Sequence, residues 1–252
     1  MTPRLERNRV FITGAASGLA RGIALDFARH GYRVAFTYRP GGTGPDGTLA
    51  AVRAASGGEA VAIPADHGQA GETERSVRAA ETALGGIDAY VHAVGPIVVK
   101  RFASSTLEDM RAMLAGNFES AVEGAFAALP AMRAQGYGRL VYFGMNGTHL
   151  TLPARGMSLY GAAKAAVVTF ARTLALEEAK AGITVNVIEP GDIRDKSVDR
   201  AGSRDISANN PTGHAGSWED VAYAARFLVS QEASFINGMT IGVNGGLVEP
   251  HE

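Results

Sequence analysis

Seven short apolar runs, spaced by stretches of helical period, constrain this chain more than any other feature. They are Val10-Phe11-Ile12-Thr13, Val34-Ala35-Phe36-Thr37, Ala60-Val61-Ala62-Ile63, Ala89-Tyr90-Val91-His92, Leu140-Val141-Tyr142-Phe143, Thr184-Val185-Asn186-Val187-Ile188 and Met239-Thr240-Ile241-Gly242-Val243. Near-continuous apolar runs of strand length belong to strands buried on both faces. Helices between such strands imply parallel pairing through right-handed crossovers. The expected fold class is therefore α/β: a doubly wound parallel sheet of about seven strands with helices on both faces. The first helix runs through Ile23, Phe27 and Ala28 and stops at Gly31. The longest helical pattern, from about Leu107 to Ala134, reads as one helix or as two meeting near Gly116. Ligands of such a sheet bind beyond the carboxyl ends of its strands.

No linker or internal repeat divides the chain, so residues 1–252 are read as one domain. Pro40 to Thr48 is rich in Gly and Pro and reads as a surface loop. The stretch 192–217 has few apolar residues and no clear period. A long loop in a compact domain is usually functional, and its place after the sixth run suits a lid over a ligand.

Composition removes several function classes. A net charge of -1 offers no basic field for nucleic acid. With 0 cysteines, a disulfide framework, thiol catalysis and Cys-zinc sites are excluded. No uninterrupted apolar run reaches membrane-spanning length, and the first residues lack the apolar core of a signal peptide. A soluble cytoplasmic protein without a membrane partner is expected. His67, His149 and His214 show no metal-ligand spacing, and no metal site is expected. Glu177-Glu178 reads as a solvated helix face, Trp218 as a packing residue at the start of a late helix, and His92 as a structural residue.

Two local patterns carry chemistry. The first run leads into Thr13-Gly14-Ala15-Ala16-Ser17-Gly18-Leu19-Ala20-Arg21-Gly22. A Gly-rich turn between strand and helix lets backbone N–H groups approach a pyrophosphate at the helix N-terminus. Gly14 would give the tight turn and Gly18 the close approach, although the spacing is not G-x-G-x-x-G. The second pattern is Tyr160 and Lys164 in Ser158-Leu159-Tyr160-Gly161-Ala162-Ala163-Lys164. Four residues apart on a helix, their side chains project from one face. A neighbouring ammonium stabilises a tyrosinate, so Lys164 is expected to lower the Tyr160 pKa and make it a usable general acid or base.

In this order and on these elements, the motifs resemble those of the short-chain dehydrogenase/reductases, nearest in form to the 3-oxoacyl-carrier-protein reductase type. The turn is similar to T-G-x-x-x-G-x-G, with Ala20 in place of the last glycine. His92-Ala93-Val94-Gly95 stands where the family usually has N-N-A-G. Asn117 matches the helix asparagine of the catalytic tetrad, and Tyr160 and Lys164 match Y-x-x-x-K. Pro190-Gly191-Asp192-Ile193 resembles the P-G-x-I segment that holds the nicotinamide. The resemblance implies a Rossmann-type fold, a small-molecule carbonyl or alcohol substrate, and hydride transfer in either direction. It implies a homo-oligomer, tetramer or dimer, assembled through the long helices. It also assigns roles. Gly14, Ser17, Gly18 and Leu19 would hold the pyrophosphate and Asp66 the adenine. Ala93, Gly95, Pro190, Gly191 and Ile193 would line the cofactor. Lys164 would hold the nicotinamide ribose, Tyr160 would protonate the carbonyl oxygen, and Asn117 would hold a water in a relay to Lys164. Asp66 read as a loop carboxylate, and Asn117 bonding its own backbone, remain alternatives.

One tetrad member is missing. Alignment from the fifth run brings Met145 to the family's serine position, and spacing from Tyr160 brings Gly147. Neither donates a hydrogen bond from a hydroxyl. Asn146 or Thr148 would substitute, or the substrate would bring its own polar group, or the site would be impaired and the protein a dinucleotide-binding sensor. Met145 itself reads as an apolar wall of the substrate pocket. After the second run the chain reads Thr37-Tyr38-Arg39-Pro40, with no acid to bond the ribose hydroxyl of NAD. NADP is therefore expected over NAD, with Arg39 as the partner of the 2′-phosphate.

Overall fold

The computed structural model describes residues 7–56 and 60–247. Its strands are β1 Arg9–Ile12, β2 Arg33–Tyr38, β3 Ala60–Pro64, β4 Ala89–His92, β5 Gly138–Phe143, β6 Ile183–Pro190 and β7 Thr240–Val243. They form one seven-stranded sheet in the order β3-β2-β1-β4-β5-β6-β7, and every pairing is parallel. The helices are α1 Gly18–Arg29, α2 Asp46–Ser56, α3 Glu72–Leu84, α4 Leu107–Met113, α5 Ser120–Gln135, α6 Ser158–Glu178, α7 Arg200–Ser203 and α8 Trp218–Val229.

The strands are mostly apolar because they serve two cores. Phe11, Ala35, Tyr90, Leu140 and Val185 point to one face, where α3, α5 and α6 cover them with Val77, Leu129, Val167 and Leu174. Their neighbours Val10, Ile12, Val34, Phe36, Val91 and Val141 point to the other, under Ile23 and Phe27 of α1, Val52 of α2 and Val221 and Leu228 of α8. Each large side chain removed from water in this way contributes about 1.5–3 kcal/mol. α6 with its short extension, Ser158–Ala181, is long and apolar enough to cross a membrane; here Val167, Val168, Ala171 and Leu174 spend that apolarity on the first core.

Several expectations change in detail. The loop expected over 40–48 ends early: α2 starts at Asp46, and the Thr48 hydroxyl is buried and donates to Ala15 O at 3.0 Å. Within 192–217 the chain forms α7, capped by Asp199, and an antiparallel bridge between Ser207 and His214. Glu178 is not solvated. It is buried and paired with Arg133 through two hydrogen bonds of 2.8 and 2.5 Å, while Glu177 is exposed. Trp218 opens α8 behind a capping box made by Ser217 and Asp220.

The long pattern from Leu107 resolves into α4, a π-helical turn over Leu114–Glu119, and α5. Such turns widen a helix by one residue and gather at functional sites. This one carries Asn117. Strand order reverses direction at β1, with β2 on one side and β4 on the other. The crevice above their carboxyl ends is where this architecture binds ligands.

Candidate active site

A cleft of about 790 Å³ opens at that switch point. Its walls bring together Gly14, Ser17, Gly18 and Leu19 from the β1–α1 turn, Ala93 and Gly95 after β4, Met145 and Asn146 after β5, Tyr160 and Lys164 from α6, and Pro190, Gly191 and Ile193 after β6.

The turn is shaped by glycine and braced by hydroxyls. Gly14 and Gly18 adopt φ of 72° and 62°, the left-handed region that side chains disfavour. Gly14 N donates to Thr37 Oγ1 at 2.7 Å. Thr37 Oγ1 and Thr73 Oγ1 each lie 2.8 Å from a nitrogen of the buried His67 ring. Burial drives the His67 pKa from 6.5 down to about 4, so the bridging ring is neutral at physiological pH. Thr13 Oγ1 accepts from Ala93 N and Val94 N at 2.9 and 3.1 Å, tying the turn to the end of β4. Ser17 is the N-cap of α1, is extended, and makes no side-chain cap bond. The first N–H groups of α1 are thus left for an anion. Thr37, Thr48 and His67 were not singled out as site residues from sequence; a threonine closing both of the first two strands was the available signal.

Tyr160 and Lys164 share the face of α6 that looks into the cleft. Lys164 is buried, donates from Nζ to Phe143 O at 2.9 Å, and lies 5.8 Å from the centroid of the Tyr160 ring. Loss of solvent lowers its pKa to about 8. The same loss acts oppositely on the phenol and pushes Tyr160 up to about 12. The expected lowering of the tyrosine pKa is therefore not found: burial raises it instead.

Asn117 Nδ2 donates to Pro96 O and Met113 O, both at 3.0 Å. Its Oδ1 is buried and has no partner. That orphan acceptor faces the backbone of Gly95: a Cβ placed on Gly95 would collide with Asn117 Oδ1 and stand 3.2 Å from Lys164 Nζ. The three residues thus enclose a small polar hollow with a donor on one side and an unsatisfied acceptor on the other. Buried polar atoms of this kind rarely go unpaired. The hollow and the free α1 terminus, both at one cleft lined by Gly14 to Leu19 and by Gly95 and Lys164, fit a nicotinamide dinucleotide.

The far wall lacks a serine hydroxyl. Met145 is half-buried there, with its Cε 3.4 Å from where Gly161 would carry a Cβ. Asn146 lines the cleft, but its amide is engaged: Oδ1 accepts from Asn244 Nδ2 at 2.6 Å and Nδ2 donates to Leu247 O at 3.2 Å. Thr148, expected in the substrate pocket, is not among the lining residues. It is buried, and its hydroxyl makes hydrogen bonds to Glu189 Oε1 at 2.5 Å and Met145 O at 2.7 Å. Glu189 is fully buried and also accepts from Gly147 N, His149 N and His149 Nδ1 at 2.9, 3.0 and 2.7 Å. Glu189 belongs to no local motif, although an acid directly after the apolar sixth run and immediately before Pro190-Gly191 is a visible anomaly.

Arg39 and Asp66 lie at the ends of β2 and β3, outside the cleft lining. Arg39 is exposed. Asp66 Oδ1 accepts from Gly68 N at 3.1 Å, a local turn.

A family model described as enoyl-(acyl carrier protein) reductase matches residues 14–248. The 3-oxoacyl-[acyl-carrier-protein] reductase of Synechocystis sp. is 31% identical over 94% of this chain and 95% of its own. 3beta-hydroxysteroid dehydrogenase 1 of Eggerthella lenta is 30% identical over 96% and 94%. Among solved structures, a blue fluorescent protein from a metagenomic library in complex with NADPH superposes with a TM-score of 0.84 at 26% identity, covering 95% of this chain and 97% of that one.

Proposed function

Since the chain belongs to the short-chain dehydrogenase/reductase family, oxidoreductases that act on alcohol and carbonyl groups with a nicotinamide dinucleotide, we propose that it reduces a ketone or 3-oxoacyl-type carbonyl with NADP, or catalyses the reverse oxidation, and that Tyr160 is its general acid/base. The observation that carries this reading is the hollow around Gly95, where the unpaired, buried Asn117 Oδ1 and Lys164 Nζ converge behind a residue that, like Lys164, lines the same cleft as Tyr160.

The bound cofactor supplies the hydride. The protein supplies position and a proton. The N-terminus of α1 and the turn from Gly14 to Leu19 hold the pyrophosphate. Ala93, Gly95, Pro190, Gly191 and Ile193 form the walls of the nicotinamide end. A Tyr160 pKa of about 12 keeps the phenol protonated at neutral pH, which is the donating form that reduction requires. Lys164, with a pKa of about 8, changes charge close to neutrality and takes up the proton balance next to Tyr160. Asn117 Oδ1 accepts from a water that Lys164 also holds, which continues the relay. Arg39, standing after β2 with no acid beside it in Thr37-Tyr38-Arg39-Pro40, selects the 2′-phosphate. Phe126 on α5 and Leu176 on α6 are exposed, which supports a homo-oligomer built on the long helices. The stretch 192–217 acts as the lid, and Ile193 and Lys196 already line the cleft. The absence of cysteine suits a cytoplasmic setting.

The test is Tyr160→Phe, followed by NADPH oxidation with a broad ketone panel. Turnover should fall by about 10²–10⁴-fold, with NADPH affinity almost unchanged. Intact turnover would remove Tyr160 from the chemistry. Met145 at the serine position favours a second reading, a cofactor-binding sensor. NADPH that binds but is never oxidised by any ketone supports that reading.

A further inference from the structure

The ionisable groups lining the cleft can be assigned one by one. Tyr160 and Lys164 belong to the chemistry. Asp192 is held by Arg194 Nε at 2.9 Å and by Asn210 Nδ2 at 2.8 Å. Lys196 lies over the phosphate turn, its Cδ 3.6 Å from where Gly18 would carry a Cβ, and so faces the pyrophosphate end. Arg155 is left over. It lines the cleft beside Ile97, Met145, Pro153 and Met157, and among the described residues it has no hydrogen-bond or ion-pair partner.

The backbone that carries Arg155 is fixed rather than loose. Met157 N donates to Ala154 O at 3.1 Å, closing a turn with Arg155 and Gly156 at its centre. Gly156 takes φ of 80°. Its carbonyl accepts from Lys100 N at 2.9 Å, which pins the turn to the wall after β4. Lys100, whose N–H pins the turn, already has its ammonium paired with Asp109 at 2.5 Å. The guanidinium of Arg155, exposed and unpaired among the described residues, therefore stands at the rim of the cleft beside apolar side chains.

Resting on the oxidoreductase reading, we propose that Arg155 selects carbonyl substrates bearing their own carboxylate, which its planar fork grips while Tyr160 protonates the carbonyl. A guanidinium matches a carboxylate with two parallel hydrogen bonds. One cation balances a monoanion; a phosphate dianion would call for the second cation that Asp109 has removed. Met145, Ile97 and Met157 then cover the apolar link between the two polar groups.

The experiment compares oxo acids with their methyl esters, using acetoacetate, 4-oxopentanoate and 5-oxohexanoate to vary the spacing. In the wild-type protein at least one acid should exceed its ester in kcat/KM by tenfold or more. Arg155→Gln should bring that ratio near one by raising KM, Arg155→Lys should restore part of it, and NADPH affinity should be the same in all three proteins. Equal use of acid and ester, or a preference that survives Arg155→Gln, overturns the inference while leaving the oxidoreductase reading intact. A preference seen only for the coenzyme A thioester of acetoacetate over its N-acetylcysteamine thioester overturns it too, because the anion would then be phosphate. If no carbonyl compound is reduced, calorimetry of the same acids on the NADP-loaded protein decides. Binding weakened tenfold by Arg155→Gln supports the carboxylate contact, and no binding refutes it, whereas failure to bind NADPH at all condemns the broader reading instead.

Discussion

At one end of the cleft, neutral side chains do the bracing: the Thr13, Thr37 and Thr48 hydroxyls each hold backbone around the phosphate turn, and the His67 ring bridges the Thr37 and Thr73 hydroxyls. At the other end a single buried carboxylate, Glu189, gathers four hydrogen bonds from Gly147, Thr148 and His149. The first arrangement distributes the load, so each group contributes about 0.5–1.5 kcal/mol. The second concentrates it, because removing one charge orphans several buried donors together. The cofactor end is thus shaped by many weak and mutually redundant contacts. The substrate end hangs from one residue, which also fixes the loop that carries Met145 and Asn146. A family can keep the first and vary the second, which is where this chain departs from the tetrad pattern.

The largest expected effect follows directly. Glu189→Ala should cost about 3–5 kcal/mol of stability, read as a fall in the urea midpoint. At a temperature where the variant stays folded, KM for the carbonyl substrate should rise far more than the Kd for NADPH. Equal damage at both ends would erase the contrast between them.

The next effect probes the cofactor end by pH. His67 binds its proton at about 4 in the folded protein, against 6.5 ordinarily, because burial penalises the imidazolium. Between those values the unfolded chain holds more protons than the folded one, so stability is complete above pH 6.5 and falls as the pH drops towards 4. A shift of this size corresponds to about 3 kcal/mol. The buried His92, whose pKa is also lowered chiefly by burial, adds to the loss in the same direction. Denaturation midpoints measured from pH 7 to 4 should therefore fall, and His67→Gln should flatten part of that slope. An unchanged slope in the variant would mean that the ring is not the buried bridge between Thr37 and Thr73.

The contrast also explains which parts of the molecule could be read without coordinates. Strands buried on both faces write continuous apolar runs, so all seven were visible, and so were the turn after β1 and the spacing of Tyr160 and Lys164. Local spacing does not report what a side chain meets far along the chain. The Thr148 hydroxyl looked available because its partner, Glu189, comes from another strand. Glu178 looked solvated because Arg133 lies on another helix. The Tyr160 pKa differs from expectation for a related reason: helical spacing reveals the neighbouring ammonium but not the depth of burial, which raises it. The π-helical turn at Leu114–Glu119 was half visible, as an interruption near Gly116, since one inserted residue shifts the helical phase without supplying a breaker.

The smallest expected effect tests how far the distributed bracing extends. Arg39 is exposed at the end of β2, outside the braced turn, and any bond it makes to a 2′-phosphate is formed in solvent. Exposed ion pairs are screened and contribute little, with charge-assisted hydrogen bonding at the upper end of that range. Arg39→Ala should therefore weaken NADPH by roughly tenfold, about 1.4 kcal/mol, and leave NADH within twofold. Because the contact is exposed, the NADPH advantage should shrink further as salt rises from 50 to about 300 mM, over which the screening length falls below about 10 Å. Titration of NADPH fluorescence in the two proteins reads both effects. Parallel losses for NADPH and NADH would place Arg39 in the general scaffold of the turn, and a wild-type preference for NADH would assign the second strand's end to a cofactor without the phosphate.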